Sequence, residues 1–203
     1  MLLVVQRWGI RLLLLFTVLV GLSLATTTPP PHPAVDDQVN PGFDTCPLPC
    51  WAGITPAETR TDAVPRLITA HLPGMNVEFR GVVTQINFAA TTPGQTLRGV
   101  VYDKRGLVSG VRLETHLPLW QVMELLGAPD CIRISQGTDG HELVAVSWQT
   151  EHHVISGTVL LPSPDAWQPS ATISLLGIFE GYPACAAPGD YRWHGFAPIW
   201  QYR

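Results

Sequence analysis

Two arginines and an unbroken apolar run decide which part of this chain can fold in water. Arg7 and Arg11 precede Leu12–Ala25, about 14 residues without a charge. That is the length of the apolar segment of an export signal, and Ser23-Leu24-Ala25 offers a small-x-small cleavage site. Counted from Trp8, the stretch nears the roughly 20 residues that span a bilayer, with Arg11 able to snorkel to the interface. Residues 1–25 are therefore expected to be either a cleaved signal peptide or a retained N-terminal membrane anchor, a transmembrane helix. The positive charges precede the apolar run, so either form places residues 26–203 outside the cytoplasm. The expected location is extracytoplasmic: secreted, or tethered to the cytoplasmic membrane by the N-terminal helix. No cysteine follows the run closely, so a lipoprotein lipobox is absent. Thr26-Thr-Thr-Pro-Pro-Pro-His-Pro33 opens a Pro/Thr-rich spacer that continues to about Asp44. Pro-rich chain favours extended polyproline II and packs no core, so residues 26–44 read as a semi-rigid tether.

The remaining length suits one ordinary domain. Charged residues make up 14% of the chain, against roughly 25% in average globular proteins, while Pro and Gly number 19 and 18. Many short elements joined by turns are expected, not long helices. Net charge is −4, and without Arg7 and Arg11 the chain carries ten basic against sixteen acidic residues. Lys104 is the one lysine. Phosphate binding needs clustered Lys and Arg, so nucleic acid is not an expected partner.

Cys46, Cys50, Cys131 and Cys185 form an even set in an exported chain, where disulfides are the default. Four cysteines allow three pairings. A Cys46–Cys50 bridge closes a tight loop stiffened by proline. Pairing Cys46 or Cys50 with Cys131 ties the two halves of the fold, and Cys185 ties down the tail. Cys46 and Cys50 also support a second functional reading, thiol redox or copper handling, because soft thiolates suit Cu(I). Against it, the thioredoxin-type motif has two intervening residues near a βαβ pattern; here three intervene and no βαβ unit follows.

Thr55-Pro56-Ala57-Glu58 has the form of a capping box, with Thr at N-cap, Pro at N1 and Glu at N3. Thr59-Arg60-Thr61-Asp62 offers a second cap four residues on. One of them is expected to start a helix running to about His71, with Val64, Leu67, Ile68 and Leu72 on one face. Pro65 should kink it or mark where a short first turn meets the helix proper. Val77–Phe88 is expected as a strand, Thr92-Pro93-Gly94 as a turn, and Leu97–Tyr102 as a second strand. Asp103-Lys104-Arg105-Gly106 is a hairpin turn with Gly where φ is positive, and Leu107–Glu114 a third strand.

The pattern then restarts. Pro118–Leu126 is a short helix with Leu119, Val122, Met123 and Leu126 inward, capped by Gly127 and stopped by Pro129. Strands are expected at Cys131–Ser135, Glu142–Gln149, Val154–Leu161 and Thr172–Phe179, with a turn at Thr138-Asp139-Gly140. The expected fold is α+β, in two similar halves of about residues 51–115 and 116–179. Each half is a short helix followed by three or four antiparallel strands. Residues 180–203 carry Tyr182, Tyr191, Trp193, Phe196, Trp200 and Tyr202. They read as a loop-rich aromatic cap fastened by Cys185, with an exposed carbohydrate- or peptide-binding strip as the functional alternative.

Gly53-Ile54-Thr55-Pro56-Ala57-Glu58-Thr59, a helix, and a hairpin through Tyr102, Asp103, Gly106, Leu107, Gly110 and Val111 resemble one repeat of the β-lactamase-inhibitor-protein-like (BLIP-like) fold. That fold includes the SmpA/OmlA outer-membrane assembly lipoproteins. Its signature is split between the halves: the first keeps Gly53-Ile54-Thr55-Pro56 and Thr59, the second Val122 and Leu126-Gly127-Ala128-Pro129. The run from Cys46 to Pro56 is itself similar to a group of uncharacterised exported bacterial proteins. The resemblance covers roughly residues 46–178. It implies a BLIP-like tandem repeat and extracytoplasmic protein–protein binding or envelope assembly, the partner being another envelope or extracellular protein. It carries over no binding residues, because inhibitor surfaces vary and lack a motif.

No catalytic set stands out. His32, His71, His116, His141, His152, His153 and His194 include no His-x-x-x-His pair. His152 and His153 are neighbours on or before a strand, point to opposite faces, and read as surface histidines at a turn. Nucleophile-elbow, phosphate-loop, dinucleotide and zinc-protease motifs are missing. Asp130, Asp139 and Glu180 are scattered and read as structural. No enzymatic activity, cofactor or metal is expected, and membrane contact is expected through the N-terminal segment only. A hydrolase with a site assembled in space is the third alternative.

Overall fold

The computed structural model describes residues 42–43, 45–82, 84–137, 141–163, 167–181, 185–186 and 188–202. The expected leader (1–25), nearly all of the tether, the 138–140 turn and Tyr182 lie outside the described residues. Among the described residues no helix is long and apolar enough to cross a membrane.

A 3-10 turn, Thr61–Ala63, leads into α1, Val64–His71. Four strands follow: β1 (Asn76–Val82), β2 (Gln85–Thr92), β3 (Gln95–Lys104) and β4 (Leu107–Pro118). Then come α2 (Leu119–Leu126), β5 (Cys131–Gln136), β6 (Glu142–Gln149), β7 (His153–Leu161) and β8 (Thr172–Glu180). A short β9 (Asp190–Arg192) and a 3-10 turn, Ile199–Tyr202, finish the chain. Among the described residues nine strands make one sheet in the order β1-β2-β3-β4-β8-β7-β6-β5-β9. Every pairing is antiparallel. The fold is α+β and mainly β.

Three expectations need correction. First, neither candidate cap starts the helix with a side-chain hydrogen bond. Thr59 Oγ1 instead accepts the Thr55 N–H at 2.9 Å, while Ala57 N–H donates to Val108 O (2.7 Å) and Val108 N–H donates to Thr59 O (2.9 Å). The hydroxyl is used inside a turn docked on β4, so the helix begins only after Arg60. Pro65 does stand where the 3-10 turn passes into α1. Second, Val77–Phe88 is two strands, with Phe79 opposite Phe88 and Val82 opposite Gln85. The connection, Val83-Thr84, holds none of the residues that mark turns, so a β-rich run hid the reversal. Third, the tail is more than a cap: Asp190–Arg192 adds a strand beside β5. Three residues carry too little alternation to be recognised as a strand.

One face of the sheet makes the core. Phe88, Leu97, Val101, Leu113, Val146, Ile155 and Ile178 are all buried there, as strand alternation requires, and a register shift between β7 and β8 brings Ile173 into the same core. α1 contributes Val64, Ile68 and Leu72 to the same core, and α2 contributes Leu119 and Val122. The Trp148 indole N–H donates to Gly127 O (2.9 Å), fastening the end of α2 to β6. The segment before α1 enters the core as well. Trp51 and Ile54 exchange two backbone hydrogen bonds (3.0 and 2.8 Å) around Ala52-Gly53, both at positive φ (50° and 73°). Trp51, Ala52 and Ile54 are fully buried, and the Trp51 ring stacks on Phe88 with centroids 5.4 Å apart. The tail packs through Trp193 and Phe196 around Trp167, and through buried Tyr202, whose hydroxyl donates to Gly195 O (2.6 Å) and accepts from His194 N–H (3.2 Å).

Candidate functional site

The opposite face of the sheet presents Val100, Tyr102, Arg112, Leu175 and Phe179, and none of them belongs to the core that the helices cover. Its centre is the seam between β4 and β8. Across that seam Tyr102 on β3, Gly110 on β4 and Phe179 on β8 stand in one row. Gly110 has no side chain, so the two rings approach over it, with centroids 6.1 Å apart. A second glycine, Gly177, lies opposite Arg112. A Cβ on either glycine would overlap the Phe179 ring, so both positions are cut to fit it.

Arg112 completes the cluster. It projects from the same face two residues beyond Gly110, and its guanidinium carbon sits 5.7 Å from the Tyr102 centroid and 5.8 Å from that of Phe179. Cation–π contact holds the exposed guanidinium without using up its planar donor fork. Next to it across the seam, Gly177, Ser156 and Ser147 form a row of small residues. Arg98 and Glu114, both exposed, lie one row away on the same face. The cluster therefore combines two aromatic rings, a positioned arginine and small neighbours. Aromatic side chains and arginine are the types that carry binding energy in protein interfaces.

The cysteines pair as Cys46 with Cys50, four residues apart, and Cys131 with Cys185, 54 residues apart. None of the four is a free thiol. Neither bridge joins the two halves. Cys131 stands opposite Ser147 and Arg192, on the open face, and is buried beneath its bond to Cys185. Nearby, Arg133 and Asp190 form a 2.7 Å ion pair between β5 and β9, and that hydrogen bond raises the Arg133 pKa. At this end Ile134, Ser135, Gln136, Gly189, Tyr191 and Tyr202 line a shallow cavity of about 270 Å³.

His152 is exposed, while His153 is buried, contrary to its expected place on the surface. Its Nε2 lies 3.0 Å from Pro56 O, and since a carbonyl only accepts, Nε2 carries the proton. His153 thus pins β7 to the segment before α1. Asp130 accepts the Gln149 N–H at 2.6 Å, and Glu180 pairs with Lys104 at 3.2 Å. Among the described residues no three His, Cys, Asp or Glu side chains converge as a metal-ligand set. Sequence reasoning missed Arg112, Phe179 and the role of the two glycines. The available signal was glycine in mid-strand, which marks a close approach of another group.

The chain matches no protein-family model, no curated protein and no solved structure.

Proposed function

We propose that this protein is an extracytoplasmic binding module that engages another envelope or extracellular protein through the open face of its sheet. The observation that carries this reading is the Tyr102–Arg112–Phe179 cluster, built over Gly110 and Gly177 on a face that the helices leave uncovered. A side chain this constrained loses little entropy when a partner docks, which favours it as an anchor. Two disulfides support an oxidising compartment.

The same reading treats α1–β4 and α2–β8 as two copies of one BLIP-like unit. Each begins with an eight-residue helix and continues into four strands, and the sheet order runs β1-β2-β3-β4 and then back through β8-β7-β6-β5. The last strands of the two units make the seam, and the aromatic–arginine cluster straddles it.

Site-specific photo-crosslinking in the native cell tests the proposal. A photo-reactive residue at Ser156 or Thr158 on the open face should give a discrete adduct that Arg112→Ala removes. The same residue at Arg66 or Thr69, exposed on α1, should give none. Equal adducts from both surfaces, or adducts indifferent to Arg112, would sink the reading.

A further inference from the structure

Among the described residues β1 ends the sheet, and Asn76–Val82 pairs only with β2. An edge strand turns alternate N–H and C=O groups away from its one neighbour, and proteins commonly guard such edges with charge or cover them. The opposite edge, β9, is only three residues long. β1 is seven residues long and carries charges of both signs: Glu78 and Arg80, 4.0 Å apart and both exposed. Guards of one sign repel every approaching copy. Glu-x-Arg repels a parallel copy in register but attracts an antiparallel one.

We propose that β1 pairs antiparallel with β1 of a second copy of this chain, about a twofold axis through Phe79. In this register Glu78 of each copy faces Arg80 of the other, so symmetry makes the ion pair twice. Val77 falls opposite Gly81, where a Cβ would meet nothing within 4 Å, so the space for the valine is open. Phe79 meets its own symmetry mate. It is half-buried at the rim, opposite Phe88, which stacks on Trp51. The aromatic row of the core thus continues to the edge, where the second copy would cover it. Glu78 and Arg80 share the open face with Arg112 but lie three strands away from it, so the dimer leaves the Tyr102–Arg112–Phe179 cluster free and stands independently of the binding role.

A charge-reversal cycle on the full chain, followed by sedimentation equilibrium in a buoyancy-matched non-ionic detergent, is the test. Glu78→Arg and Arg80→Glu should each weaken dimerisation by about tenfold or more, because each turns both symmetric pairs repulsive. The double variant Glu78→Arg/Arg80→Glu should recover wild-type dimerisation to within about threefold, since the swapped pairs attract again. Amide exchange gives a second readout: protection of Val77–Gly81 should rise with protein concentration. A monomer at about 100 μM overturns the proposal, that being weaker than a specific dimer requires. So does a double variant no better than the singles, or dimerisation indifferent to all three. Protection of β1 that is equal at every dilution also overturns it, by placing another part of the same chain on the edge.

Discussion

Trp51→Ala tests whether the segment before α1 is part of the core or only leads into it. Trp51 heads the largest fully buried side chains. Truncating a buried Trp or Phe to Ala costs about 3–5 kcal/mol, depending on how far the site can collapse. Here collapse is obstructed on both sides. The Trp51–Ile54 turn is closed by its own pair of backbone hydrogen bonds. Phe88, the stacking partner, is fitted over Gly99 so closely that a Cβ there would clash with the ring. Loss of the aromatic contact adds to the cavity, so the upper part of the range is expected, about 4–5 kcal/mol. For a domain of this size the melting temperature should fall by about 10–20 °C. Urea unfolding followed by far-UV circular dichroism, with both disulfides oxidised, gives the direct number, and the m-value should stay unchanged. Trp193→Ala, at a half-buried position, is the control and should cost clearly less. A Trp51→Ala loss below about 1 kcal/mol, or one equal to the control, would refute the core assignment.

Two further outcomes follow from the same geometry. The bridges close loops of very different size, with sequence separations of 4 and 54. The chain-entropy relation gives about 2 kcal/mol for Cys46–Cys50 and about 4 kcal/mol for Cys131–Cys185. Paired Cys→Ser variants in urea should therefore rank in that order. Gly110→Ala should cost about 1–3 kcal/mol by displacing Phe179 and should alter the near-UV aromatic spectrum. Gly81→Ala, with open space at its Cα, should stay within about 0.5 kcal/mol.

Elements with strong local chemistry were legible in the sequence. Glu142–Gln149 matches its expected bounds because its alternation is strict, with Val144, Val146 and Trp148 inward. The Asp103–Gly106 turn matches as well: Arg105 and Gly106 take positive φ, and the Asp103 carboxylate accepts the Gly106 N–H at 3.0 Å. Errors came where tertiary contacts outbid local preference. The Thr55 capping box failed because the Thr59 hydroxyl and the Val108 backbone claim the same stretch. The burial of His153 depends on Pro56, far away in sequence. The candidate site was invisible for a related reason. Tyr102, Arg112 and Phe179 are unremarkable on their own strands, and only the β4–β8 register brings them together.

That register has a kinetic consequence. Gly110 and Phe179 are neighbours across the seam but lie about 70 residues apart along the chain. Strands β1 to β4 and β5 to β8 each pair with sequence neighbours, so they form contacts of low order. The seam, like the β5–β9 pairing, needs a long loop to close, and contacts of that kind slow folding most. The Arg112–Phe179 contact is then a marker of the completed fold: a chain with both meanders formed but undocked has all the residues of the binding surface and no binding surface.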